Sequence, residues 1–167
     1  MGRNRLRGPV WNIRRFISDV RFILIGKRVI IVKVKLSDII DAIEMADQYS
    51  EDFLDRETGE IVRISDMTMS IDEQEEAYEL LDAHGFYRLP SSFDICEYDI
   101  MEDFVYSLPE SQQSRLARAI SGRGAFRRFK DMIHQLGLAD RWYEYQASAY
   151  RKKAIRWCEE NGLEYEE

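Results

Sequence analysis

Residues 52–64 read DFLDRETGEIVRI, and this stretch separates a mixed fold from an all-helical one. Phe53 on one side and Ile61 and Val62 on the other have the β-branched and aromatic character of paired strands. Between them, Asp55-Arg56-Glu57-Thr58-Gly59 is a turn of hairpin length, and Gly59 supplies the positive φ that such a turn needs. Upstream, Val29 to Leu36 reads as a strand, because Val32, Val34 and Leu36 alternate with Lys33 and Lys35. The N-terminal strand and the hairpin over 50–64 are therefore expected to form one small antiparallel sheet.

Helical spacing dominates the rest. Ser37 is a candidate N-cap ahead of the Ile39, Ala42, Ile43, Ala46 stripe. Ser70 and Glu73 have capping-box spacing, and Gly85 stops the helix carrying Ala77, Tyr78 and Leu81. Phe86 to Pro90 is extended or turning. Asp94 and Glu97 are a second capping pair, before Tyr98, Met101, Phe104, Val105 and Leu108. Pro109 restarts the chain for a short helix with Leu116, Ala117 and Ile120 inward. Next come Phe126, Phe129, Met132, Ile133 and Leu136, ended by Gly137, and a last long helix with Tyr143, Ala147, Tyr150, Ala154, Trp157 and Cys158 as its stripe. The fold class is α+β: a mostly helical compact bundle with one small antiparallel sheet.

The 167 residues are 45% apolar and 33% charged, the balance of a globular protein that fits a single domain. Two cysteines, Cys96 and Cys158, exclude a disulfide scaffold and a cysteine-based zinc site and suit a reducing, cytoplasmic setting. No uncharged run approaches the roughly 20 residues of a membrane span, and Phe22 to Gly26 is too short for a secretory core, so neither integral membrane association nor export is expected. The net charge of −7 is unevenly laid out: residues 1–35 carry +9, 36–110 carry −19, 121–156 carry +6. Residues 1–30 read as a basic N-terminal extension and 31–167 as the single α+β domain.

Sequence motifs for catalysis are missing. The two histidines, His84 and His134, form no metal-ligand spacing, and no phosphate-binding glycine loop or nucleophile elbow is present. His84, just before Gly85, suits a structural role at a helix end. Asp52, Asp55, Glu57 and Glu60 crowd the hairpin, where carboxylates can serve a cation or acid–base chemistry, although loop acids are usually solvated. No catalytic residue, metal or cofactor is assigned. The remaining candidate is the run SGRGAFRRFKD, residues 121–131. Gly122 and Gly124 open a helix N-terminus, and at about 100° per residue Arg123, Arg127, Lys130 and His134 share one face. Arginine can grip phosphate or carboxylate with two parallel hydrogen bonds. Two readings follow. The cations pin the acidic helices through Glu75, Glu79, Glu102 or Asp103, or they form an anion- or partner-binding surface. The favoured function is a non-enzymatic binding or regulatory module with a protein or nucleic-acid partner. The alternative is a small enzyme acting on a phosphorylated substrate through the Arg cluster and the hairpin carboxylates.

GRGAFRRFKD at 122–131, followed by Trp142-Tyr143 and Trp157, resembles the signature of an uncharacterised bacterial protein family. LDRETGEIV in the hairpin, Leu89-Pro90 and Met101-Glu102-Asp103-Phe104 add to the resemblance, which covers Val32 to Leu163. It implies a small intracellular bacterial protein and no particular activity, and it carries no functional residue across. The first 30 residues lie outside the shared block.

Overall fold

The hairpin forms as its turn chemistry requires. In this computed structural model, which describes residues 33–167, β2 (Ser50–Asp55) and β3 (Ile61–Ser65) pair antiparallel with Phe53 opposite Val62 and Leu54 opposite Ile61. Gly59 has φ +75°, and the Gly59 N–H closes the turn onto the Asp55 carbonyl at 2.9 Å. The basic extension expected over 1–30 and the first part of the strand expected over 29–36 lie outside the described residues.

The sheet's third strand is a correction to the sequence reading. It is β4 (Phe86–Arg88), not the N-terminal segment. Gly85, at φ +78°, turns the chain sharply after α2 (Ile71–His84) and lays Phe86–Arg88 along the free edge of β2. The Arg56 N–H to Gly85 carbonyl bond and the Leu89 N–H to Asp52 carbonyl bond fix its two ends. Among the described residues, the part of the N-terminal strand that forms is β1 (Val34–Lys35), and it pairs parallel with β5 (Tyr165–Glu166). It ends there because α1 (Leu36–Glu44) begins at Leu36. Ser37 therefore lies inside the helix, its hydroxyl donating to Asp38, and is not the cap.

Strand alternation gives the sheet two covered faces. Phe53 and Ile64 pack with Ala77 and Leu81 of α2 on one side, with Phe53 edge-on to Phe86 and Tyr78. Leu54 faces the main core on the other. That core is built by α1, α4 (Glu97–Tyr106), α5 (Glu110–Ala119), α6 (Ala125–Gln135) and α7 (Ala139–Glu160). At its centre Phe104, Phe129 and Trp142 meet edge to face, 4.7–6.2 Å between ring centres. The fold is α+β and mostly helical, with a three-stranded antiparallel sheet and a short parallel pair.

Three helix details differ from expectation. The buried stripe of α7 starts at Trp142 and continues through Tyr150, Ala154, Trp157 and Cys158, while Tyr143 and Ala147 are exposed. Trp142 sets this register by entering the ring cluster, one position before Tyr143. The Asp94–Glu97 pair does not cap α4. Asp94 belongs to a capping box with Ser91 that starts the single-turn α3 (Ser92–Ile95), and Cys96, left-handed at φ +44°, separates α3 from α4. Phe126 is 44% exposed, because Phe129 and Ile133 take the inward arc of α6. The Ser70–Glu73 capping box and the burial of Trp157, whose indole N–H donates to the Arg88 carbonyl at 3.0 Å, are as expected.

Candidate functional site

The turn from α5 into α6 is where the expected site residues fall. Gly122 and Gly124 both have left-handed φ, +77° and +79°, a conformation that costs an ordinary residue about 1 kcal/mol or more. At Gly124 a Cβ would also stand 3.1 Å from a guanidinium nitrogen of Arg128. That guanidinium organises the turn. Its Nε donates to the Ala119 carbonyl (3.1 Å), Nη1 to Arg123 (2.5 Å), and Nη2 to Ser121 (2.8 Å) and Gly122 (3.4 Å). The Tyr98 hydroxyl takes the Ile120 carbonyl at 3.0 Å. Every carbonyl from Ala119 to Arg123 thus has a donor.

The N–H groups of the same turn are in the opposite condition. Among the described residues, those from Gly122 to Arg127 have no side-chain acceptor, and α6 starts without a side-chain cap or an acid in its first turn. A helix N-terminus attracts negative charge. Here it is instead flanked by Arg127 in the first turn and Arg123 just before it.

Arg123, Arg127 and Lys130 are exposed, and among the described residues none makes a side-chain ion pair or hydrogen bond. The pairs that would pin Glu75, Glu79, Glu102 or Asp103 to them do not form. Arg123 is also displaced from the helical arc that sequence spacing assigned it, since α6 begins only at Ala125. Arg127, Lys130 and His134 remain on that arc. A groove of about 500 Å³ runs beside the turn between α5 and α6, lined by Arg115, Arg118, Arg128, Asp131, Met132 and Gln135. Sequence spacing did not single out Arg128, because its partners are backbone carbonyls, which leave no mark in the sequence.

The hairpin carboxylates are engaged elsewhere. Asp52 makes two hydrogen bonds with the Arg63 guanidinium, 2.7 and 2.6 Å, which push the arginine further toward its charged form. Asp55, expected as a solvated loop acid, is fully buried. It accepts from the backbone N–H groups of Glu57 (2.8 Å) and Thr58 (2.9 Å) and faces His84 Nδ1 at 2.8 Å. The other ring nitrogen of His84 lies 3.4 Å from Glu57. His84 thereby ties the end of α2 to the hairpin turn, the structural role its position suggested. No hydrogen bond or ion pair joins these acids to Arg123, Arg127 or Lys130 among the described residues.

A second groove of about 420 Å³, lined by Arg88, Leu89, Pro90, Asp94, Lys153, Arg156, Trp157 and Glu160, mixes both signs. Its charges are shared internally: Arg88 with Glu51 at 2.8 Å, Arg156 with Glu160 at 3.8 Å, and Lys153 on the Asp94 carbonyl at 3.4 Å. Cys158 is buried, and burial raises its thiol pKa. Among the described residues no group of three or more His, Cys, Asp or Glu side chains is placed to hold a metal ion, and no helix is long and apolar enough to cross a membrane.

The model of an uncharacterised protein family, UPF0158, matches residues 28–166, which takes in the sheet, both grooves and the α5–α6 turn. The chain belongs to this family. No curated protein and no solved structure matches it. The UPF0158 span therefore frames the turn without attaching a reaction or ligand to it.

Proposed function

We propose that the protein is a non-enzymatic binding module of the cytoplasm that takes an anionic partner at the α5–α6 turn. Arg123, Arg127 and Lys130 supply the charge, and Gly122 and Gly124 shape the backbone that presents the open N–H groups. The observation that carries this reading is the state of the three cations: exposed and unpaired among the described residues, with Arg123 and Arg127 at the positive end of α6 and Lys130 in its next turn. Such an arrangement costs the free protein about 0.3–1 kcal/mol per charge near the dipole and is relieved by an anion. Sites commonly give up stability in this way. Buried Cys158 and the unpaired state of both thiols fit a reducing compartment.

Heparin retention tests the reading through the triple variant, because the basic residues 1–35 are common to both proteins and only the three cations of the turn differ. The full chain is expected to be retained and to elute with salt. Replacing Arg123, Arg127 and Lys130 together by Gln should bring elution to clearly lower salt. Unchanged elution of the triple variant would overturn the assignment.

A further inference from the structure

The exposed side of α6 holds one feature that charge alone does not explain. Phe126 stands within the cationic surface, 44% exposed, and makes no ring contact with another aromatic side chain among the described residues. On a helix turning about 100° per residue, Phe126, Lys130, His134 and Arg127 occupy one continuous arc of about 100°, in that order. Lys130 lies one turn beyond Phe126, and Arg127 is its chain neighbour. This gives a flat apolar ring bordered by unpaired cations, with open backbone N–H groups at the start of the same helix.

We infer that the anionic partner is a single-stranded nucleic acid, with one unpaired base stacked on Phe126 and the adjoining phosphates held by Arg123, Arg127 and Lys130. The inference rests on the binding reading above and adds to it the identity of the partner. An acidic protein surface would use the cations but would leave the ring without a matched face, because Phe126 is the one large exposed apolar side chain of α6. Protein-docking surfaces gather several such anchors in one patch. A polyanion without bases gives the ring nothing. In a duplex the faces of the bases are covered by their neighbours, so only an unpaired strand offers a π face. Surfaces that bind single strands combine these same elements, cations along the backbone and an aromatic platform for the bases. The acidic block 36–110, net −19, repels phosphate, so it offers a strand no competing surface.

The test uses the full chain and three probes: a fluorescently labelled single-stranded DNA oligonucleotide of mixed sequence, the duplex it forms with its complement, and heparin. The single strand is expected to bind more tightly than the duplex. Phe126→Ala should weaken single-strand binding about tenfold or more while leaving heparin elution unchanged. Phe126→Tyr, which keeps the ring, should restore it. Replacing the three cations by Gln should flatten the slope of log affinity against log salt by about 2, at roughly 0.7 per contact. Because the ring is partly solvent-facing, both Phe126 variants should keep the wild-type circular dichroism spectrum. If Phe126→Ala leaves single-strand affinity untouched, or weakens heparin and DNA equally, the nucleic-acid inference falls. The binding reading then stands on heparin retention through the three cations. If the wild-type protein is retained by none of the probes, the binding reading itself falls.

Discussion

At the β2–β3 turn a cluster of acids is folded inward. Asp55 is fully buried with three polar partners, and Asp52 accepts from both Nε and Nη2 of Arg63. At the α5–α6 turn a cluster of cations is divided. Arg128 is spent on backbone carbonyls, while Arg123, Arg127 and Lys130 face outward with no partner among the described residues. Crowding of like charge is the same signal in both stretches of sequence. What separates a structural cluster from an available one is whether the acceptors and donors around it are already used. A buried charge without partners is costly, so the hairpin had to provide them. An exposed charge is tolerated by water, so the turn did not.

The comparison is most easily broken at Asp55. Asp55→Ala removes the acceptor of two backbone N–H groups and the partner of His84 inside the protein. It should cost about 3–5 kcal/mol in urea denaturation. A loss below about 1 kcal/mol would make the hairpin charges as dispensable as those of the basic turn. Arg128 comes next. Arg128→Gln should cost about 2–3 kcal/mol, the net of several charge-assisted bonds that are not additive, and Arg128→Lys should not rescue it, because one ammonium cannot span four carbonyls. A neutral result would move Arg128 into the same class as its neighbours. The triple replacement of Arg123, Arg127 and Lys130 by Gln should change stability by no more than about 1 kcal/mol, toward a small gain as like charges leave the helix N-terminus. A clear loss in the same denaturation experiment would mean that these cations hold the fold together.

The smallest effect concerns acid. Asp47 is held below its ordinary pKa by the Tyr49 N–H, and Asp94 by the Ser91 hydroxyl and N–H. A carboxylate with a depressed pKa in the folded state adds stability that is fully present above its unfolded pKa, about 3.9. That stability is lost as pH falls through the folded value. The wild type and the triple Gln variant should therefore lose stability along parallel acid limbs. A divergence of the two limbs would show that the cations pair with carboxylates after all.

Elements governed by local chemistry were legible from the residues. The hairpin turn with Gly59, the Ser70–Glu73 box and the stop at Gly85 each depend on neighbours a few positions away. What was hidden depends on distant partners. Phe86 to Pro90 reads as extended or turning, but its place as the third strand is not legible, because three residues become a strand only beside the free edge of β2. In α7 the expected Tyr150, Ala154, Trp157 and Cys158 are buried, and only the start of the stripe differs: Trp142 goes inward instead of Tyr143, because the Phe104–Phe129 cluster draws it in. At the candidate site, residue type and spacing identified the cations. They could not reveal that Arg128 is engaged, that Arg123 sits off the helix, or that Phe126 faces outward. Those facts depend on where α6 begins, a boundary set by two left-handed glycines.

The short parallel pair has a mechanical consequence. Val34 lies beside Tyr165 and Lys35 beside Glu166, and the Val34 N–H bonds to the Glu164 carbonyl at 3.0 Å. Arg151 grips Glu167 just beyond, anchoring β5 to the long α7 helix. Because β1 and β5 run in the same direction, tension applied between Lys33 and Glu167 slides one strand along the other and loads their bonds together instead of peeling them one at a time. Pulling the molecule from those two positions should show a distinct first yield as the clasp shears, and Arg151→Ala should lower the force at which it occurs.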